Sequence, residues 1–238
     1  MKKQALQDIF IGSHNADIER ARGRLLRGNT YRDLSTVCII PTRGLIPAKV
    51  VQSWLALMSP MNQKFMRIFV EKMEVGDAYN AGIELILGNP ELSTWKYVLT
   101  LEEDNCPPPD GLLKLYESMD QFDVVSGLYW TKGEGGQPMV YGDPKVMPRN
   151  FIPQVPAADA VQECNGLGMG FGLFKLEMFR KVPKPWFKTV QEYIPGQGSR
   201  VGTQDLYFFQ EAAKYGYRFA SDNRVRVGHY DAREDRMW

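Results

Sequence analysis

Cysteine is scarce in this sequence: Cys38, Cys106 and Cys164 are the only three in 238 residues. Their number is odd, they lie far apart and no C-x-x-C pair occurs, which argues against a disulfide framework and against a zinc ribbon. A reducing cytoplasm suits such usage. Histidine is scarcer still, with His14 and His229 alone. No run of 18 apolar residues occurs, so no membrane-spanning helix is expected. The apolar stretch within residues 1–10 is too short for a secretory leader. Internal repeats and low-complexity tracts are absent. A dominant charge is also missing: 29 Lys and Arg stand against 28 Asp and Glu, a net charge of +1. No global field therefore marks the chain for nucleic acid or a membrane surface. The amino terminus departs from that balance, because residues 1–32 carry seven Lys or Arg against three Asp or Glu.

At 44% hydrophobic and 24% charged, the chain can bury the core of one α/β domain with an appendage. Residues 5–27 have a helical pattern in which Arg20, Arg24 and Arg27 share a face, either a solvated face or a contact for phosphate or an acidic partner. His14 falls on its surface. A β-branched strand at 37–40 closes on Pro41-Thr42-Arg43-Gly44. Pro47 suits the first turn of a helix presenting Val50, Val51, Trp54, Leu55 and Met58. A strand at 65–70, a helix at 76–87 ended by Gly88-Asn89-Pro90, a strand at 97–101, a helix carrying Leu112 to Met119 and a strand at 124–129 follow. The order βαβαβαβ predicts a parallel sheet with helices on its faces. Ligands of such sheets bind beyond the carboxyl ends of the strands, where Pro41–Gly44, Glu71 and Lys72, Glu102–Asn105 and Trp130 fall.

The second half is less regular. Residues 131–165 read as long loops with room for a hairpin, and 183–202 as a further loop; long loops in a compact domain are often lids or binding loops. Residues 166–174 alternate Gly with large apolar residues in strand fashion, and Gly168 and Gly170 allow a backbone or ligand to approach closely. A short helix at 176–181 follows. Thr203 is placed to cap a helix that runs from Gln204 and Asp205 to about 215. Two short strands, 218–220 and 224–227, precede His229.

The sharpest feature is Glu102-Glu103-Asp104, three acids at the end of an apolar strand, followed by Pro107-Pro108-Pro109. Adjacent carboxylates repel, and a cation relieves that repulsion. On a continuing strand Glu102 and Asp104 point the same way and Glu103 the other. Mn²⁺ or Mg²⁺ favours such oxygen ligands and keeps positions open for phosphate oxygens. An acidic surface turn is the alternative.

The run from Tyr97 to Leu115 resembles the metal-binding strand, loop and helix of GT-A fold glycosyltransferases, particularly the family 2-like group, with Glu102 in place of the first Asp of Asp-x-Asp. The segment Gly76-Asp77-Ala78-Tyr79-Asn80-Ala81-Gly82 resembles that family's helix beside the donor, with Tyr79 where Arg is usual. Residues 37–44, 166–174, Thr203-Gln204-Asp205 and His229 follow in the family's order, so the likeness spans about 35–231. It implies an α/β, GT-A (Rossmann-like) fold, a mostly parallel sheet flanked by helices with a smaller mixed acceptor-side region. Residues 1–34 would be a basic helical extension and 35–238 one domain, its nucleotide-sugar half at 35–130 and its acceptor half at 131–238.

The implied activity is transfer of a sugar from a nucleotide-diphosphate sugar to an acceptor hydroxyl, assisted by Mn²⁺ or Mg²⁺ on Asp104, Glu102 and His229. Asp205 would be the general base of an inverting reaction, ionised at neutral pH because it lies at a helix N-terminus. Pro41, Thr42, Arg43, Glu71, Asp77, Asn80, Glu102 and Glu103 would receive the donor; for Arg43 and Lys72 a solvated or ion-paired role is the alternative. Trp130, Gly168 and Gly170 would face the acceptor, Trp130 by stacking or else by packing. Among the three acids Glu103 is expected to be the mildest to replace. The acceptor stays open between a glycan, a small molecule and a DNA base, the last because small GT-A proteins of phages modify nucleobases. The expected setting is the cytoplasm of a bacterium or a phage-infected host. A nucleotidyltransferase and a non-catalytic nucleotide-binding module are the alternatives.

Overall fold

Every residue of β1 (Thr36–Thr42) is buried. Successive side chains of a strand leave on opposite faces. Val37 and Ile39 accordingly enter one apolar cluster with Tyr79, Ile83 and Ile86, while Cys38 and Ile40 enter a second with Val50, Trp54, Leu112 and Leu115. A strand buried on both faces needs cover on both, and the helices supply it. The computed structural model describes residues 32–194 and 198–238; the expected helix at 5–27, with His14, Arg20, Arg24 and Arg27, lies outside them.

Chain order continues with α1 (Ala48–Ala56), β2 (Phe65–Glu71), α2 (Val75–Gly88), β3 (Tyr97–Leu101), β4 (Asn105–Cys106), α3 (Gly111–Glu117) and β5 (Val124–Leu128). Then come β6 (Val140–Tyr141), β7 (Val161–Cys164), β8 (Gly166–Leu167), β9 (Phe171–Lys175), α4 (Met178–Lys181), β10 (Val190–Ile194) and β11 (Gly198–Gly202). The chain closes with α5 (Gln204–Ala213), β12 (Phe219–Arg226), β13 (Gly228–Asp231) and β14 (Arg236–Met237). Residues of α2, α4 and α5 pack in the first cluster and those of α1 and α3 in the second.

The central sheet has seven strands in the order β2-β1-β3-β9-β5-β12-β7. Pairs β1–β2, β1–β3 and β5–β12 are parallel. The expected α/β architecture, a mostly parallel Rossmann-like sheet flanked by helices, is what the chain adopts. Two strands run against the rest. β9 lies antiparallel between β3 and β5, and β7 pairs antiparallel with β12 at the edge.

Local departures from the expected elements have physical causes. Residues 166–174 do not form one strand: β8 pairs with β6, and β9 enters the main sheet. Part of the expected loop at 183–202 is the antiparallel hairpin β10–β11. The two short strands near the end merge into β12, with a register shift between Asp222 and Arg226. In α1 the buried side is Val50 and Trp54, continued by Leu57, whereas Leu55 is 83% exposed. The spacing of four and then three selects one stripe, and Leu55 lies a third of a turn away from Trp54.

Candidate functional site at the strand ends

β3 ends at Leu101, and the three acids do not continue it. The Asn105 amide donates to the Glu102 carbonyl at 3.0 Å, which closes residues 102–105 into a turn. That overturns the expectation of two carboxylates aligned by strand alternation. The turn is held from both ends: Glu102 N donates to Gly170 O at 3.2 Å, and Tyr230 N donates to Asp104 O at 2.7 Å. The second contact extends the pairing of β13 with β4, in which His229 lies opposite Asn105. On the far side Trp54 Nε1 donates to Asn105 O at 2.9 Å, and Ser53 Oγ to Pro107 O at 2.8 Å.

His229 therefore reaches Asp104. Its Nε2 lies 3.5 Å from Asp104 Oδ2, and its Nδ1 lies 2.8 Å from Trp130 O. A carbonyl only accepts, so Nδ1 carries the proton that this bond needs. Lys132 joins the pair, with Nζ 2.6 Å from Asp104 Oδ2. Burial alone would raise the Asp104 carboxyl, but the hydrogen bonds and charges of His229 and Lys132 outweigh it and bring the pKa down to about 2. Lys132 escaped the sequence reading, although its position just beyond a strand end, two residues after Trp130, was a usable signal.

Glu102 behaves in the opposite way. Crowding by the protein and the neighbouring charges of Asp104 and Asp205 push its pKa up to about 8, against smaller opposing effects of Lys132 and a hydrogen bond from Tyr79. Tyr79 is fully buried. Asp205 occupies the first turn of α5 and is 6% exposed. Thr203 Oγ1 donates to its Oδ1, and Leu206 N donates to the same oxygen at 2.8 Å. Burial prevails over these bonds, and the carboxyl is raised above the ordinary aspartate value. The helix terminus does not hold it low as expected, because desolvation outweighs the terminal dipole.

Glu103, expected to be the mildest of the three acids to replace, is tied into the chain by its own bonds. Its Oε2 accepts from Thr42 Oγ1 at 2.7 Å and Arg43 N at 2.8 Å, and its Oε1 pairs with Arg43 Nε. Glu103, Thr42 and Arg43 thus form one knot at the end of β1, beside the buried Pro41. Glu71 closes β2 on the surface, and Lys72 N donates to Thr42 O at 3.0 Å. Asp77 is exposed in the first turn of α2. The Asn80 carboxamide is engaged by the chain itself, donating to Phe187 O at 2.7 Å and accepting from Phe187 N at 3.1 Å. It clamps the segment after α4.

The acceptor-side residues divide. Trp130 is half-buried against the first cluster, bridges to Pro138 and orients His229 through its carbonyl. Gly168 and Gly170 are buried, and a β-carbon added at either would collide with Tyr129 or with Asn105, respectively. Protein side chains stand where a side chain at either glycine would lie. Asn105 is fully buried, and its carboxamide has no hydrogen-bond partner among the described residues. A separate cavity of about 300 Å³, lined by residues including Trp95, Tyr97 and Glu177, lies at the opposite end of β3.

The family resemblance implies Mn²⁺ or Mg²⁺ at Asp104. Among the described residues no three His, Cys, Asp or Glu side chains form a set able to hold a metal ion. Asp104 Oδ2 already receives the Lys132 ammonium. The residues as arranged do not fit a divalent ion. No helix among the described residues is long and apolar enough to cross a membrane.

No family model matches the chain, and no curated protein matches it in sequence. Among solved structures, the A197 protein of STIV is similar over 85% of this chain and 92% of its own, with a TM-score of 0.60 and 18% identity. S. aureus TarS 1-349 overlaps 80% of this chain and 59% of its own length, with a TM-score of 0.44 and 11% identity. The same TarS fragment in complex with UDP-GlcNAc gives a TM-score of 0.43 at 11% identity, over 80% of this chain and 57% of that one. The likeness to the STIV protein is one of fold, and the looser TarS superpositions add nothing to it.

Proposed function

We propose that the chain is a glycosyltransferase that moves a sugar from a nucleotide-diphosphate sugar to an acceptor hydroxyl. The observation that carries this reading is the convergence, at one end of a mostly parallel sheet, of two carboxyls held above their ordinary pKa, Glu102 and Asp205, with the Asp104–Lys132–His229 group. Such strand ends are where α/β sheets bind their ligands. Glu102 raised beside Asp104 lowered is a pair of titratable groups pushed apart in pKa, a mark of acid–base chemistry.

In this reading the donor's nucleotide lies along Pro41, Thr42, Arg43, Glu71 and Asp77, and its phosphates turn toward Lys132. Asp205 takes the proton of the acceptor hydroxyl as that oxygen attacks the anomeric carbon. The bond to the diphosphate breaks on the opposite side, which is inversion. A raised pKa makes Asp205 a stronger base than an ordinary aspartate. The acceptor enters beside Trp130, between the 131–165 loops and the β10–β11 hairpin. Its class, glycan, small molecule or nucleobase, follows from assay rather than from the site.

The test is a panel of sugar nucleotides incubated with the full chain, with hydrolysis or transfer followed by mass spectrometry. One sugar nucleotide should be consumed, and Asp205→Asn should slow its transfer about a hundredfold or more. If no sugar nucleotide binds or turns over, the reading fails.

A further inference from the structure

We propose that Lys132 is the cation of this site, and that its ammonium, in place of a divalent metal, neutralises the diphosphate of the bound donor. The proposal rests on the nucleotide-sugar reading above and adds to it the identity of the charge that holds the phosphates.

The geometry supplies the argument. Lys132 Nζ lies 2.6 Å from Asp104 Oδ2, with the two side chains 28% and 26% exposed. They are open enough for a ligand to reach and shielded enough for charge to act at a reduced dielectric. An ammonium has three donors. One is committed to Asp104, and the remaining two can turn to phosphate oxygens, for which lysine is an established point-charge partner.

The segment that carries Lys132 is ordered by its own bonds. Thr131 N donates to Gln137 O at 2.9 Å, Gln137 N to Thr131 Oγ1 at 2.8 Å, and Gly136 N to Gly133 O at 3.1 Å. The bridge between Trp130 and Pro138 closes the base of this loop. The charge is therefore held in place before any ligand arrives, which lowers the reorganisation required on binding.

Asp104 has a matching role. Its backbone is fixed by Tyr230 N, and its Oδ2 sits between Lys132 and His229. A metal on the same oxygen would lie within a few ångströms of the ammonium and repel it. Asp104 in this arrangement aims a lysine.

The experiment is calorimetric titration of the full chain with UDP, GDP, ADP, CDP and dTDP, once in EDTA and once in Mn²⁺. The diphosphate that binds should do so with affinities that agree within about twofold in the two buffers. Lys132→Met should weaken it about tenfold or more in both, and Lys132→Arg should recover part of the loss. Without nucleotide, wild-type protein should leave the electron paramagnetic resonance signal of free Mn²⁺ undiminished. Binding that appears only with Mn²⁺, or a Lys132→Met protein that binds as tightly as wild type, overturns the proposal and leaves the transferase reading standing. No binding of any diphosphate in either buffer overturns that reading and the proposal with it. Should Lys132→Met fail to fold, the wild-type comparison between EDTA and Mn²⁺ decides alone.

Discussion

Asp205 sits almost wholly buried at the start of α5, where one hydroxyl and one amide are the bonds its Oδ1 receives. Burial raises its carboxyl from the ordinary 3.8, and those bonds do not cancel the rise. A carboxyl whose folded pKa lies above its unfolded one weakens the fold at every pH above the unfolded value, and ceases to do so below it. Asp205→Asn keeps an oxygen for both donors and removes the charge. It should raise Tm at pH 7, by about 2–4 °C for each kcal/mol recovered, with the gain shrinking as the pH falls toward about 4. Transfer should fall by about a hundredfold or more. A Tm lower than wild type at pH 7 would contradict this account of the residue. Glu103 is the reverse case: burial raises its carboxyl, and the bonds from Arg43 and Thr42 more than offset that and lower it. Its stabilisation is present above the unfolded pKa and is lost as the pH falls through the folded one. Because the Arg43 side chain is 86% exposed, the ion pair contributes little, and the Thr42 hydroxyl and Arg43 amide dominate. Glu103→Ala should cost about 1–3 kcal/mol in urea unfolding. A change near zero would restore Glu103 to the bystander role that strand alternation suggested.

At the scale of elements, the turn at 102–105 depends on β9 and β13 more than on its own three acids. Gly170 gives Glu102 its carbonyl partner, and the space beside its α-carbon is taken by Asn105. A β-carbon built at Gly170 would stand 2.5 Å from Asn105 Oδ1 and 2.7 Å from its Cγ. Asn105 is buried and cannot swing clear. Gly170→Ala should therefore destabilise the fold by about 1–3 kcal/mol, read from denaturant midpoints. A selective rise in KM for the acceptor with stability intact would instead support an acceptor-facing glycine. The sequence revealed β1, β3 and β5 because each is a short apolar run bounded by turn residues. It revealed α2 through its stop signal at Gly88-Asn89-Pro90, but not its cap, Glu74, whose carboxylate accepts from Gly76 N and Asp77 N. The antiparallel insertion of β9 was not legible. Gly-Phe-Gly-Leu-Phe fits a strand, but nothing in those residues names β3 and β5 as partners. The β10–β11 hairpin was hidden for another reason: a polar, glycine-rich stretch gives no alternation to read.

For the whole molecule, the candidate site is a product of sheet order. The turn after β3, the loop after β5, the start of α5 and the strand β13 bring Glu102, Asp104, Lys132, Asp205 and His229 together from distant parts of the chain. A family-like order of motifs pointed to Asp104, Asp205 and His229, because those segments keep their sequence neighbours. It did not point to Lys132, to the Glu103 knot or to the engagement of Asn80 by Phe187, because each is a contact between segments that no local pattern links. A ligand that binds across such a site ties together elements from most of the fold, and it binds the folded state alone. Its stabilisation follows from mass action, about 2.7 kcal/mol at a hundredfold excess over Kd. For a domain of this size that corresponds to about 5–10 °C in Tm. The diphosphate that matches the site should therefore raise the melting temperature of the full chain by this amount in EDTA, the corresponding monophosphate by less, and neither should shift Lys132→Met as far. Equal shifts for monophosphate and diphosphate would mean that the second phosphate meets no positive charge, and the assignment of the strand-end cluster as a diphosphate site would fall.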